Sequence, residues 1–296
     1  MSGETKEESP SSPTLTFNRV VIIQWLADGE QKTGEFIEGV LTSTHSDIPI
    51  KLVDVKSKQE VIDAIATAKT EIPELGVPLI HIEAHGASFD GVRAAGLSDR
   101  LETTKENILL WKELMQALAD LNIATELNLV VVIAACVSLD MVYTVRSKEP
   151  LAFMLFYGYN TKISPTSLEN TAIDFYRALL VHRKDPSEAF SEAEKATAGK
   201  AQFSLIRALH ILKMAIRESI AEVENGDIRD YEQMCAEAKA KKHRMPSQRL
   251  FKMIRKNYLR RALNGMLSRM LSTKDFPNIL NRLGIDIEAL IKEARK

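Results

Sequence analysis

The sequence predicts an α/β fold: a mostly parallel sheet flanked by helices, followed by an all-α C-terminal region. Three observations carry that prediction. Short apolar runs rich in β-branched residues recur, the pattern of strands buried on both faces. Segments of helical spacing separate them, as βαβ units require. From Pro165 onward every segment reads as helical.

"RVVIIQWL" (19–26) is the first buried strand, and "GEFIEGVLTS" (34–43) follows with helical spacing. "IKLVDV" (50–55) alternates like a strand. "SKQEVIDAIATAKTEI" opens with Ser57 and Glu60 in capping-box positions and continues as an amphipathic helix. "VPLIHIEA" (77–84) is a third buried strand, which stops on His85-Gly86. Residues 103–122 read as one long helix, with Thr103 and Glu106 offering a second capping box. "LNLVVVIAA" (127–135) is the most apolar strand and stops on Cys136; "SLDMVYTVRSK" after it reads as helix, and "LAFMLFYGY" (151–159) as a further strand.

Three regions follow: a disordered Ser/Pro-rich tail (1–16), an α/β domain (17–198) and a helical regulatory or docking region (199–296). In the last, residues 247–272 pair apolar positions at helical spacing and present a basic opposite face, so one long helix is expected there. "KAKKHRMPSQR" (239–249) reads as an exposed loop before it. Net charge is −1, yet twelve of the 39 Lys and Arg lie between Ala238 and Lys274 with no Asp or Glu among them. The rest of the chain holds 27 basic and 40 acidic residues, a net of −13. The basic helix is expected to dock on an acidic body or partner.

No segment approaches 18 uninterrupted apolar residues, so no membrane partner is expected. The N-terminus lacks the apolar core of a signal peptide. Two cysteines, Cys136 and Cys235, point to a reducing, cytoplasmic setting rather than a disulfide framework. G-x-G-x-x-G, G-x-x-x-x-G-K-[ST] and G-x-S-x-G are all absent, which disfavours nucleotide enzymes and α/β-hydrolases, and no cofactor is expected.

His85 and Cys136 stand at the same kind of place, the carboxyl end of a central parallel strand, where working residues of such sheets lie. Neighbouring strands would bring a nucleophile and an acid/base group together on rigid elements. A helix starting after Cys136 would favour its thiolate. Gly86 permits close approach of a substrate, and its N–H, with that of Cys136, is a candidate oxyanion donor.

The order His, then Cys about fifty residues on, resembles the caspase-like superfamily (clan CD) of cysteine peptidases, and within it the CHAT peptidases. The matching pieces are "IHIEAHGASFDGV", "LVVVIAACVS" and "GYNTKISPTSLENTAIDFYRALLVHRKDPSEAFSEAEKA", covering roughly residues 17–198. The resemblance implies a caspase-like fold and a thiol endopeptidase with a His85/Cys136 dyad. It implies one protein substrate, a bacterial antiviral-defence or cell-death setting, and activation by a partner protein or an upstream protease. It also makes "SPTS" (164–167) the pocket loop, with Ser164 and Thr166 as candidate substrate contacts. Relatives that cleave after Arg or Lys commonly carry an acid near this loop, and these side chains supply none. Asp28 and Glu30, after the first strand, are the candidates for that charge. The preference for the residue before the cleaved bond stays open.

Three rival readings stand beside this one. His81, Glu83 and His85 share a strand face and spell H-x-E-x-H, a metal-binding pattern without a further ligand cluster nearby. A catalytically idle caspase-like binding module would be marked by loss of His85 or Cys136, and both are present. A nucleic-acid or anion binder would use the basic C-terminal helix, but aromatic interleaving is lacking there, which disfavours nucleic acid.

Overall fold

The computed structural model describes residues 16–44, 47–89, 94–100, 107–144, 149–196, 203–225, 231–241, 247, 259, 261–272, 276–282, 286, 288–289 and 292. The chain divides into two compact units. One comprises Thr14–Val145 and Leu151–Ala208, and the other is built chiefly on Leu209–Lys296. The expected tail (1–16) lies outside the described residues except for Thr16, as do the expected cap Thr103/Glu106 and most of the 239–249 loop.

The first unit is a mostly parallel sheet flanked by helices. Its strands are β1 (Arg19–Trp25), β2 (Ile50–Asp54), β3 (Pro78–Phe89), β6 (Val130–Ala134), β7 (Leu155–Tyr159) and β8 (Phe203–Arg207), in the order β2-β1-β3-β6-β7-β8. All pairs are parallel except β7 with β8. β1, β6 and β7 are buried along their whole length, which explains why their sequences are continuous apolar runs rather than alternating ones. Helices α1 (Thr33–Ser43), α2 (Lys58–Thr70), α3 (Ile72–Leu75), α4 (Trp111–Ala124), α5 (Pro165–Tyr176) and α6 (Pro186–Ala196) complete the unit. One core cluster joins Val20, Ile22, Val130 and Val132 of the sheet to Ile37 of α1 and Phe175 of α5. Ser57 caps α2 as expected, its hydroxyl accepting from the Glu60 N–H, but the Glu60 carboxylate accepts from the N–H of Lys56, at 2.8 Å, rather than from that of Ser57 as a capping box would have it.

The structure corrects four expectations. β3 does not stop at His85 but runs on to Phe89, pairing antiparallel with β4 (Ala94–Ser98), which in turn pairs with β5 (Ile108–Leu110). The helix expected from Thr103 starts at Trp111, because Ile108–Leu110 are committed to β5 and Glu113 caps the Leu110 N–H at 3.0 Å. The segment after Cys136 is a 3-10 helix, Ser138–Thr144, rather than an α-helix. Residues after Pro165 are not all helical, since β8 closes one edge of the sheet and carries the first unit through to Ala208, past the boundary expected near 199.

In the second unit the described elements are helical: α7 (Ala208–Asn225), α8 (Tyr231–Ala240), α9 (261–270) and α10 (Phe276–Arg282). Within the expected long helix 247–272, residues 261–270 are helical. Leu263, Met266, Leu267 and Met270 of its apolar stripe are buried, and Met266 Sδ accepts from the Ser219 hydroxyl at 3.0 Å. Among the described residues no helix is long and apolar enough to cross a membrane.

Candidate active site

β3 and β6 are adjacent parallel strands whose last pair is Glu83 with Ala134. Two residues beyond that pair stand His85, still within β3, and Cys136, in the turn that follows β6. The two backbones converge further. A Cβ built on Gly86 would overlap the carbonyl oxygen of Cys136, so residue 86 must be glycine for the strands to approach this closely. Cys136 lies in the sharp turn after β6, with Val137 in the left-handed region at φ 50°. For a β-branched residue that is strained backbone.

What holds this turn is largely the neighbouring strand. The Val137 N–H donates to the Thr161 carbonyl at 3.3 Å. The fully buried Ser138 hydroxyl donates to the Ile133 carbonyl at 3.1 Å and accepts from the Tyr159 N–H at 2.9 Å. Gly158 leaves the space this hydroxyl needs, since a Cβ there would lie 2.7 Å from it. The Cys136 sulfur accepts from the Ile163 N–H at 3.5 Å. The thiol in turn donates to the Ile163 carbonyl at 3.9 Å. No α-helix follows Cys136 to supply the dipole expected there, since Ser138–Thr144 is a 3-10 helix.

His85 Nε2 lies 2.7 Å from Glu30 Oε2, in the loop between β1 and α1. Both side chains are partly shielded, at 24 % and 31 % exposure. Of the other expected substrate contacts, Asp28 is almost fully exposed and pairs with Lys56 at 3.1 Å. Ser164 caps α5 by accepting from the Ser167 N–H at 3.2 Å, and Thr166 is exposed on the first turn of that helix. Ile163, beside the sulfur, immediately precedes Ser164, so the "SPTS" segment does border Cys136.

Beneath His85 on the same face of β3 runs a buried polar chain that the sequence did not disclose. His81 Nδ1 meets the Tyr176 hydroxyl at 2.7 Å, and His81 Nε2 meets Glu83 Oε1 at 2.6 Å. The other Glu83 oxygen accepts from the Thr33 hydroxyl at 2.5 Å. His81 and Glu83 are at most 1 % exposed. Both ring nitrogens of His81 are thus engaged by its neighbours, and the H-x-E-x-H face does not converge on a common point. Among the described residues no three His, Cys, Asp or Glu side chains gather as a metal set. Burial raises the Tyr176 and Tyr159 hydroxyls well above their ordinary range, with the Glu83 carboxylate adding to it, so both remain neutral phenols.

Comparison with protein-family models and with curated proteins finds no match to this chain.

Proposed function

We propose that this chain is a cysteine endopeptidase in which Cys136 is the nucleophile and His85 the acid/base. The carrying observation is the approach of Gly86, next to His85 on β3, to the backbone of Cys136, just beyond the end of the adjacent parallel strand β6. Support also comes from the Ile163 N–H on the sulfur and from the rigid turn behind Cys136. Thiol catalysis calls for a nucleophile and a proton carrier held on rigid neighbouring elements.

In this reading the Cys136 thiolate attacks the scissile carbonyl carbon, and a tetrahedral oxyanion forms. The N–H groups of Gly86 and Cys136 are its donors. The intermediate collapses as the C–N bond breaks and His85 gives its proton to the leaving amine. Water then attacks the thioester carbon, His85 takes up the water's proton, and the C–S bond breaks as the acid product leaves, restoring the Cys136 thiolate beside protonated His85.

The substrate is a specific protein, with Ser164 and Thr166 beside the nucleophile as substrate contacts. By the caspase-like, CHAT-type resemblance, activation comes from a partner protein or an upstream protease, in a bacterial defence or cell-death setting within the cytoplasm. The helical second unit is the docking or regulatory element. A proteome-wide cleavage-site profile of wild type against Cys136→Ala, with candidate activators added, tests the reading. Cleavage sites that appear with wild type and vanish with Cys136→Ala are the expected result. Loss by orders of magnitude on removing either His85 or Cys136 is expected, because members of such a unit act together. Sites that persist in Cys136→Ala overturn the reading.

A further inference from the structure

We propose that Glu30 is the positioning residue of His85: its carboxylate fixes the proton on Nε2 and leaves Nδ1 as the basic nitrogen for chemistry at Cys136. The role of Cys136 rests on the endopeptidase reading, and the contact with Glu30 does not. Glu30 Oε2 is 2.7 Å from His85 Nε2. An ionised carboxylate only accepts, so the imidazole must donate, and that selects one tautomer of the neutral ring.

The loop that carries Glu30 is built to hold it there. At its start, the Ala27 N–H donates to the Asp99 carbonyl at 3.0 Å. Asp99 directly follows Ser98, the partner of His85 across the β3–β4 pair. The loop is therefore tied to the hairpin that also places the histidine. Gly29 then turns the chain with φ +89°, a conformation open to glycine, and the Glu30 N–H returns to the Ala27 carbonyl at 3.3 Å. At its far end the Gln31 amide donates to Glu169 Oε1 of α5 at 2.7 Å, and Thr33 is held by the buried Glu83 carboxylate. A carboxylate on a loop fixed at both ends orients a ring with less entropic cost than a mobile one. The contact also bears on specificity. Glu30 is engaged by a base of the same chain, so it is not a free acid for a basic substrate side chain.

The test uses the full chain and two readouts. The first is the ¹⁵N spectrum of the His85 ring at alkaline pH, assigned by its loss in His85→Ala, which reports the nitrogen that carries the proton. The second is the rate at which iodoacetamide alkylates Cys136 at neutral pH, read by peptide mapping with Cys235 as internal reference. Wild type is expected to show a protonated Nε2 and a bare Nδ1. Glu30→Gln, whose amide both donates and accepts, is expected to give mixed tautomers and to slow Cys136 alkylation roughly ten-fold or more, with Cys235 unchanged. Glu30→Asp is expected to recover the wild-type tautomer in part. Unchanged tautomer and unchanged alkylation in Glu30→Gln overturn the proposal. Unchanged Cys136 alkylation in His85→Ala instead overturns the thiol–imidazole reading, while the ring spectrum still decides the Glu30 contact.

Discussion

Gly86 and Cys136 approach so closely that no side chain fits between them. A Cβ on residue 86 would overlap the Cys136 carbonyl oxygen, which is backbone and cannot rotate away. The approach ties the nucleophile's strand to the strand that carries the histidine, through main-chain atoms alone. Position 86 is therefore glycine for reasons of space, independent of any conformational need.

Gly86→Ala is expected to push β3 and β6 apart at their carboxyl ends. Overpacking against backbone costs about 1–3 kcal/mol. Urea denaturation should register that loss, and iodoacetamide labelling of Cys136 should change with it while Cys235 does not. Wild-type stability in this variant would show that the strands separate freely at this level.

Ser138→Ala removes a hydroxyl that serves two partners, the Ile133 carbonyl and the Tyr159 N–H. Both are left buried without it. A buried group left unsatisfied costs about 1–3 kcal/mol, so a fall in the denaturation midpoint is expected. Ser138 also stabilises the strained turn at Val137. Amide hydrogen exchange at residues 136–139 should therefore rise more than exchange in α2. Equal change in both regions would mean that the hydroxyl stabilises the domain without holding this turn.

Tyr176→Phe isolates one nitrogen of His81 in the core. The hydroxyl is at 2.7 Å from Nδ1, and the phenol is fully buried. The shape of the ring is conserved, so the expected loss of about 1–3 kcal/mol isolates the polar contact. Thermal unfolding of wild type and variant measures it. A variant as stable as wild type would show that water or another group satisfies His81.

The strands of the central sheet were legible because burial on both faces forces continuous β-branched runs, as in "RVVIIQW" and "VVVIA". The two strands that run toward His85 and Cys136 were legible for the same reason, although β3 continues past His85. The hairpin beyond His85 was not. "AHGASF" contains no apolar run, and its partner strand is defined by pairing rather than by composition. β5 was hidden because "ILL" continues the helical spacing of the segment after it, and β8 because five residues beside a long helix carry little periodicity. The contact of Glu30 with His85, 55 residues apart, leaves no local pattern at all. Neither does the chain from Thr33 through Glu83 and His81 to Tyr176. Both are assembled by tertiary packing from side chains that read as ordinary surface or strand residues.

Stability at acid pH should depend on Glu71, where α2 ends and α3 begins. The buried Arg19 reaches it from β1, and Lys51 reaches it from β2 at 2.7 Å. Arg19 is otherwise satisfied by the carbonyls of Ala68 at 2.7 Å and Gly76 at 3.4 Å, so Glu71 is its counter-charge. The hydrogen bond from Lys51, then that from Arg19, holds the Glu71 carboxyl below the ordinary 4.5, against an opposing push from burial. The folded protein therefore takes up this proton less readily than the unfolded chain. The resulting stabilisation is fully present above the ordinary value and is lost as pH falls through the lower, folded one. Asp99, lowered by its hydrogen bond with Arg100, acts in the same direction. Denaturation midpoints should hold steady down to about pH 5 and decline below it. Glu71→Gln should lower the neutral plateau, because Arg19 loses its counter-charge, and should flatten the acid limb, because one of the responsible protons is gone. An acid limb as steep as that of wild type in Glu71→Gln would assign the acid sensitivity to other carboxylates.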